Sequence, residues 1–290
     1  MPVDILLPPR SKDIGGGFVV RRLLPSLPWQ AVGPFVVFDH FGPVTTHPGD
    51  NHDVRPHPHI GLATVTYLFE GAMIHRDSLG SVQRIEPGAI NWMSAGRGIV
   101  HSERAPDELR GTTHVSHGLQ LWAALPLAHE ESAPAFAHTP ATAIPVEERA
   151  GLTVRVLIGA LGGRRSPAAT VMDTLYLDVA AQPGSRLELP ATTSGAVQER
   201  AVYSIDRSLD VDGSEVPPFT LAVLSQGPAA IVAPAGARYV VVGGAPLDAP
   251  RFLSWNFVAS SKGLIERAQQ AWREQAMGSI AGEHEFIPLP

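Results

Sequence analysis

The sequence contains no cysteine. That excludes disulfides, thiolate metal sites, iron–sulfur clusters and cysteine nucleophiles together, so a bound metal would have to sit on His, Asp or Glu. Long apolar runs are missing as well: none approaches the roughly 18 residues of a membrane span, and no membrane partner is expected. Met1 to Asp13 carries Asp4 and Pro8-Pro9 and lacks the basic-then-apolar layout of a secretory signal. No cleaved export peptide is expected, and a cytoplasmic location is. Lysine is nearly absent, with Lys12 and Lys262 the two examples, and the arginines are scattered without a cluster. With 22 basic against 28 acidic residues the formal charge is −6, which offers no general attraction to phosphate backbones. Direct contact with nucleic acid is therefore not expected.

What is abundant is punctuation. Gly 28 and Pro 27 in 290 residues separate short β-branched or alternating runs, the pattern of an all-β sandwich or barrel. Candidate strands include Gly17–Leu23, Ala63–Phe69, Met73–Arg76, Ala89–Met93, Gly118–Ala124, Leu152–Ile158, Thr174–Val179 and Tyr239–Gly243. One helical pattern stands out at Ser260–Met277, where Ser260 or Ser261 can cap and Leu264, Ile265, Ala268, Ala271 and Trp272 recur at helical spacing. His129–Ala150 lacks periodicity and reads as a linker. A weak internal repeat matches Ile90–Met93, framed by Pro87-Gly88 and Ala95-Gly96-Arg97-Gly98, with Ala230–Ala233, framed by Gly227-Pro228 and Pro234-Ala235-Gly236. Two similar domains, 1–135 and 136–290, are expected. Eleven of the 12 histidines precede residue 139, so imidazole chemistry belongs to the first.

His57-Pro58-His59 and His101-Ser102-Glu103 are two pairs with i, i+2 spacing. Residues two apart on an extended strand point to the same face, so each pair can aim two ligand atoms at one point. Two such strands facing each other would supply four ligands. Three imidazoles and a carboxylate without sulfur suit a borderline divalent transition metal, and an octahedral ion would keep two positions open. Between the pairs, His75 and Asn91 are candidates to hydrogen-bond ligands or substrate, although a surface or turn role is the expectation for His75. An Asx turn ahead of Gly80 accounts for Asp77-Ser78. Trp92 and Met93 read as barrel packing.

These residues resemble the pirin family of the cupin superfamily. The matching run includes Gly33 to Phe41, Arg55-Pro56-His57-Pro58-His59-Ile60-Gly61-Leu62, Thr64 to Gly71, His75-Arg76-Asp77-Ser78-Leu79-Gly80 and Trp92 to Glu103. Weaker likeness continues through Gly243 to Leu247 and Trp255-Asn256-Phe257-Val258. The resemblance implies a monomeric bicupin: two antiparallel β-barrels, a metal in the N-terminal one only, and a C-terminal barrel that is scaffold. It implies His57, His59, His101 and Glu103 as the ligands, for iron(II) first, with manganese, nickel, cobalt, copper and zinc as the other candidates.

Some bacterial pirins are similar to quercetin 2,3-dioxygenases, which cleave a flavonol with O2 and release carbon monoxide. The expected partners are then a small flavonol-like aromatic and O2. Glu103 is the candidate catalytic base, or else an ordinary ligand. The other expectations are a non-catalytic iron-binding pirin, acting as a redox-sensitive regulatory module with a protein partner, and a cupin enzyme acting on some other metabolite.

Overall fold

The computed structural model describes residues 2–14 and 18–290, so Gly17 of the strand expected at Gly17–Leu23 lies outside the described residues. Contacts divide the chain into two compact units, and neither is a contiguous half. One gathers Lys12–Val20, Asp39–Ala141 and Asp248–Pro290; the other gathers Met1–Ser11, Arg21–Phe38 and Thr142–Leu247. This differs from the division expected between residues 135 and 136, because both chain ends are recruited by sheets remote in sequence. The strand Val3–Leu7 pairs with Leu221–Leu224 in the second unit. The helix Lys262–Arg273 buries Ile265, Ala268 and Trp272 against Ile60, Val100, Phe257 and Ala259 of the first. Its cap is Ser261, whose side chain accepts from the Leu264 N–H, and it is shorter than the sequence pattern suggested.

Each unit is a pair of antiparallel sheets in the cupin manner, with no single ladder running round it. In the first, the larger sheet runs Ala135–Thr139, Ile90–Ser94, Leu62–Glu70, His114–Ala124, then Phe35–Thr46, which belongs to this unit from Asp39 onward. The smaller sheet runs Val54–His59, Ile99–Arg104, Met73–Asp77, Val82–Ile85. Pro56 and Pro58 dictate part of that order: a proline has no N–H for the ladder, which confines its strand to a sheet edge. Val54–His59 is indeed an edge, and the C-terminal segment covers it, the Ile287 N–H donating to the Pro56 carbonyl at 2.8 Å. His129–Ala150 is no bare linker. It holds Ala135–Thr139, paired with Ile90–Ser94, and Val146–Arg149, paired with Leu152–Ile158. Both are edge strands with largely half-exposed side chains, so their hydrophobic alternation is too weak to read.

The second unit repeats the plan. Its larger sheet runs Val3–Leu7, Leu221–Leu224, Glu199–Ser204, Ala237–Gly244, Thr174–Ala181, Leu152–Ile158, Val146–Arg149. Its smaller sheet runs Ser185–Leu189, Ala229–Ala233, Leu209–Val211, Ser214–Val216. The internal repeat is therefore real but displaced by one strand: by place in the sheets, Ala229–Ala233 corresponds to Ile99–Arg104, not to Ile90–Ser94. Gly and Pro follow nearly every strand, so turn spacing alone does not distinguish successive strands. In the smaller sheet of the first unit one row of directly paired residues reads His57, His101, Asp77. The corresponding strands of the second read Leu187, Ile231, Val211, all buried in an aliphatic core.

The C-terminal segment is strapped to the first unit by charge. Arg104 donates through Nε to Glu283 Oε1 at 2.9 Å, pairs through Nη2 with Glu283 Oε2, and reaches Asp53 at 3.2 Å. Ser102 also donates to Glu283. The Arg104 guanidinium accordingly holds the Glu283 carboxyl below its ordinary range. A group with a depressed native pKa stabilises the fold above its unfolded value and loses that contribution as pH falls. Glu283→Gln should lower stability by about 1.5–3 kcal/mol near neutral pH, with the difference from wild type shrinking below about pH 4.5. Urea denaturation at pH 7 and pH 4 checks this; an equal deficit at both would show that the charge is not what ties the strap.

Candidate metal centre

Three imidazoles meet on the smaller sheet of the first unit. His57 and His59 share one face of the edge strand by the two-residue alternation, and antiparallel pairing sets His101 directly opposite His57. The sequence pattern suggests two strands that face each other. The two pairs sit instead on neighbouring strands, where side chains of opposed residues are already within a few ångströms. The ring centroids of His57 and His101 are 4.3 Å apart, those of His59 and His101 5.0 Å, and those of His57 and His59 4.9 Å. One ligand nitrogen from each lies within 4.8 Å of the others, the one such group of three among the described residues. The turn Ala95-Gly96-Arg97-Gly98 leads into the His101 strand, Ile99–Arg104. Gly96 adopts φ +51, and a Cβ there would lie 2.1 Å from the Ser132 carbonyl oxygen.

Each imidazole has its Nδ1 already engaged. His57 Nδ1–H donates to the Arg55 carbonyl and His59 Nδ1–H to the Asn256 carbonyl, both at 2.9 Å. His101 Nδ1 lies 3.4 Å from His75 Nδ1. This leaves the Nε2 atoms to converge, those of His59 and His101 standing 3.1 Å apart. All three residues are buried. Burial pushes the His57 pKa down to about 4, against the raising effect of its hydrogen bond to the Arg55 carbonyl. Burial, reinforced by neighbouring imidazoles, takes His59 and His101 well below the ordinary histidine range. Neutral imidazoles whose Nδ1 atoms are engaged keep Nε2 for a divalent cation.

Glu103 stands apart. Its carboxylate is not in the group of mutually close ligand atoms; it is half-buried and accepts from Thr66 Oγ1 at 3.3 Å. Burial raises its pKa, against the lowering influence of His75 and Thr66. The surface or turn role expected for His75 is not what the fold provides. His75 is buried, with Nε2 2.9 Å from Asp77 Oδ2 and its ring stacked on Phe136 at 4.2 Å. Asp77 does make the expected turn, accepting from the Leu79 and Ser81 N–H groups through Oδ1, while Oδ2 serves His75. His75-Arg76-Asp77 is a third i, i+2 pair of the same form as the other two, and that spacing was the available signal. Asn91 bonds His138 at 2.7 Å and none of the three imidazoles. Trp92 and Met93 are buried packing as expected, and the indole packed edge-on to His59, 5.0 Å away, is that of Trp122.

Comparison with known proteins identifies the family and the fold. Residues 17–123 match the model of the family described as Pirin, and residues 176–278 match the Pirin C-terminal cupin domain. A pirin-like protein of Caulobacter vibrioides is 41% identical over 99% of both chains. The chain belongs to the pirin family. Among solved structures, this pirin resembles quercetin 2,3-dioxygenase from Acinetobacter baumannii with a TM-score of 0.90 and 35% identity, over 99% of this chain and 94% of that one. Escherichia coli YhhW, a bacterial pirin solved in complex with nickel(II), shares the fold at 17% identity and a TM-score of 0.64, over 84% of this chain and 99% of that one. Among the described residues no helix is long and apolar enough to cross a membrane.

His57→Ala or His101→Ala should abolish stoichiometric metal uptake while the β-sheet circular dichroism persists, because the aliphatic core of the second unit does not involve these residues. Equilibrium dialysis with elemental analysis checks this. Retained uptake in both variants would exclude the triad as the site.

Proposed function

We propose that this pirin is a metal-dependent dioxygenase that opens the heterocycle of a flavonol such as quercetin with O2 and releases carbon monoxide. The observation that carries the reading is the position of Glu103. Glu103 lines a cavity of about 260 Å3 within the same unit. Phe18 and Met73 give that cavity an apolar wall, and the rest of its lining is mostly polar, with Asp53, Arg104 and Arg110 beside His52, Thr112 and His114. The Phe18 ring lies against His52 with centroids 5.4 Å apart. The apolar wall suits the flat rings of a flavonol, and the polar lining suits its several hydroxyls.

Held by His57, His59 and His101, with Glu103 as fourth ligand or as base, a divalent transition metal would supply Lewis acidity toward a hydroxyl and redox chemistry toward O2. Iron(II) is the first choice, and manganese, nickel, cobalt, copper and zinc suit the same donors; the nickel of the E. coli pirin supports that breadth. Glu103 takes the proton of the flavonol 3-hydroxyl, leaving the electron pair on the oxygen, and the hydrogen bond from Thr66 orients the accepting carboxylate. Trp122 and the buried sheet face keep water from the imidazoles.

The test is anaerobic reconstitution with ferrous iron, followed by admission of O2 to quercetin. The expected result is loss of the quercetin absorption band with matching carbon monoxide release. Glu103→Gln should keep most of the metal and lose about 10²–10⁴-fold in turnover. Quercetin left intact with iron, manganese, nickel and cobalt each bound would overturn the enzyme reading in favour of a redox-sensitive module with a protein partner.

A further inference from the structure

The three imidazoles are not backed alike. His57 and His59 donate to backbone carbonyls, which are fixed and neutral, whereas His101 is backed by a second imidazole that is itself backed by a carboxylate. Building on the metal site described above, we propose that Asp77 and His75 act as a positioning relay that fixes the tautomer of His101 and strengthens it as a ligand.

The argument follows the protons. An ionised Asp77 carboxylate only accepts, so His75 Nε2, 2.9 Å from Oδ2, carries a hydrogen. In this Nε2–H tautomer His75 presents a lone pair on Nδ1. That lone pair faces His101 Nδ1 at 3.4 Å, so the His101 hydrogen lies on Nδ1 and its Nε2 lone pair is free for the ion. The reverse assignment would put a hydrogen on His101 Nε2 and remove it as a ligand.

Three features hold the relay in place. Asp77 is anchored through its other oxygen by the Leu79 N–H at 2.9 Å and the Ser81 N–H at 3.0 Å. The His75 ring lies flat on Phe136, with an interplanar angle of 10°. Strand register pairs His101 with Asp77 and Glu103 with His75, so the ligand strand and the relay strand share one sheet face. In the second unit the corresponding row is Leu187, Ile231, Val211, so relay and ligands are replaced together.

Asp77→Asn is the sharpest probe. Its side-chain oxygen can still accept from Leu79 and Ser81, but its amide would donate to His75 Nε2 and invert every proton downstream, the logic by which an Asp-to-Asn change spoils a catalytic triad. Cobalt(II) affinity, measured by competition with a chromogenic chelator, should fall about 10–100-fold, the usual effect of losing such a partner. The visible ligand-field bands of the cobalt protein should shift, while the melting temperature of the metal-free protein stays near wild type. Wild-type affinity with an unchanged spectrum would overturn the relay. If Asp77→Asn does not fold, His75→Gln leaves the turn bonds of Asp77 in place and carries the same two outcomes. His57→Ala separates the two levels: if it binds cobalt(II) as wild type does, the metal site itself is wrong; if it binds none while Asp77→Asn binds normally, only the relay fails.

Discussion

Everything proposed for this protein depends on the antiparallel pairing of Ile99–Arg104 with a strand on each side. That pairing sets His57, His101 and Asp77 in one row across the sheet. Because alternate side chains of a strand share a face, it also brings His59, Glu103 and His75 to the same side. Neither the cavity nor the larger sheet is needed to assemble the imidazoles. A one-residue slip of the central strand would turn His101 and Glu103 to the opposite face and dissolve the site. The register is secured by the turn at Gly96 on one flank and by the Arg104 ion pairs with Glu283 and Asp53 on the other.

The second consequence is electrostatic. Packing three imidazoles side by side in a buried place costs solvation and disfavours a second, charging proton on any of them, so the cluster is stable only neutral or with a cation. The second unit shows the alternative solution to the same fold problem, in which Leu187, Ile231 and Val211 fill the interior. One unit thus keeps a polar cluster that a metal can compensate, and the other keeps the ordinary aliphatic core.

Much of this was legible in the sequence. The i, i+2 pairs at His57 and His101, the Gly and Pro punctuation and the run from Gly33 to Glu103 identified the fold, the family and the three imidazoles. The capped helix after Ser261 was visible because capping and helical spacing are local. What could not be read was non-local: that the two ligand strands are neighbours, that both chain ends are taken up by remote sheets, and that the acceptor for His59 is the backbone carbonyl of Asn256, since any residue type can supply a carbonyl. The role of His75 is hidden for a different reason. The turn chemistry of Asp77 holds and is sufficient by itself, and it conceals that the second oxygen of Asp77 bonds the buried His75.

The central claim is that one metal ion is held by the Nε2 atoms of His57, His59 and His101. Diffraction from crystals grown with iron or cobalt, collected on both sides of the metal absorption edge, addresses it most directly. The account expects a single strong anomalous peak about 2.0–2.2 Å from all three nitrogens, and none within the second unit. A fully loaded crystal with its peak elsewhere, or with fewer than two of these imidazoles in bonding range, would contradict it.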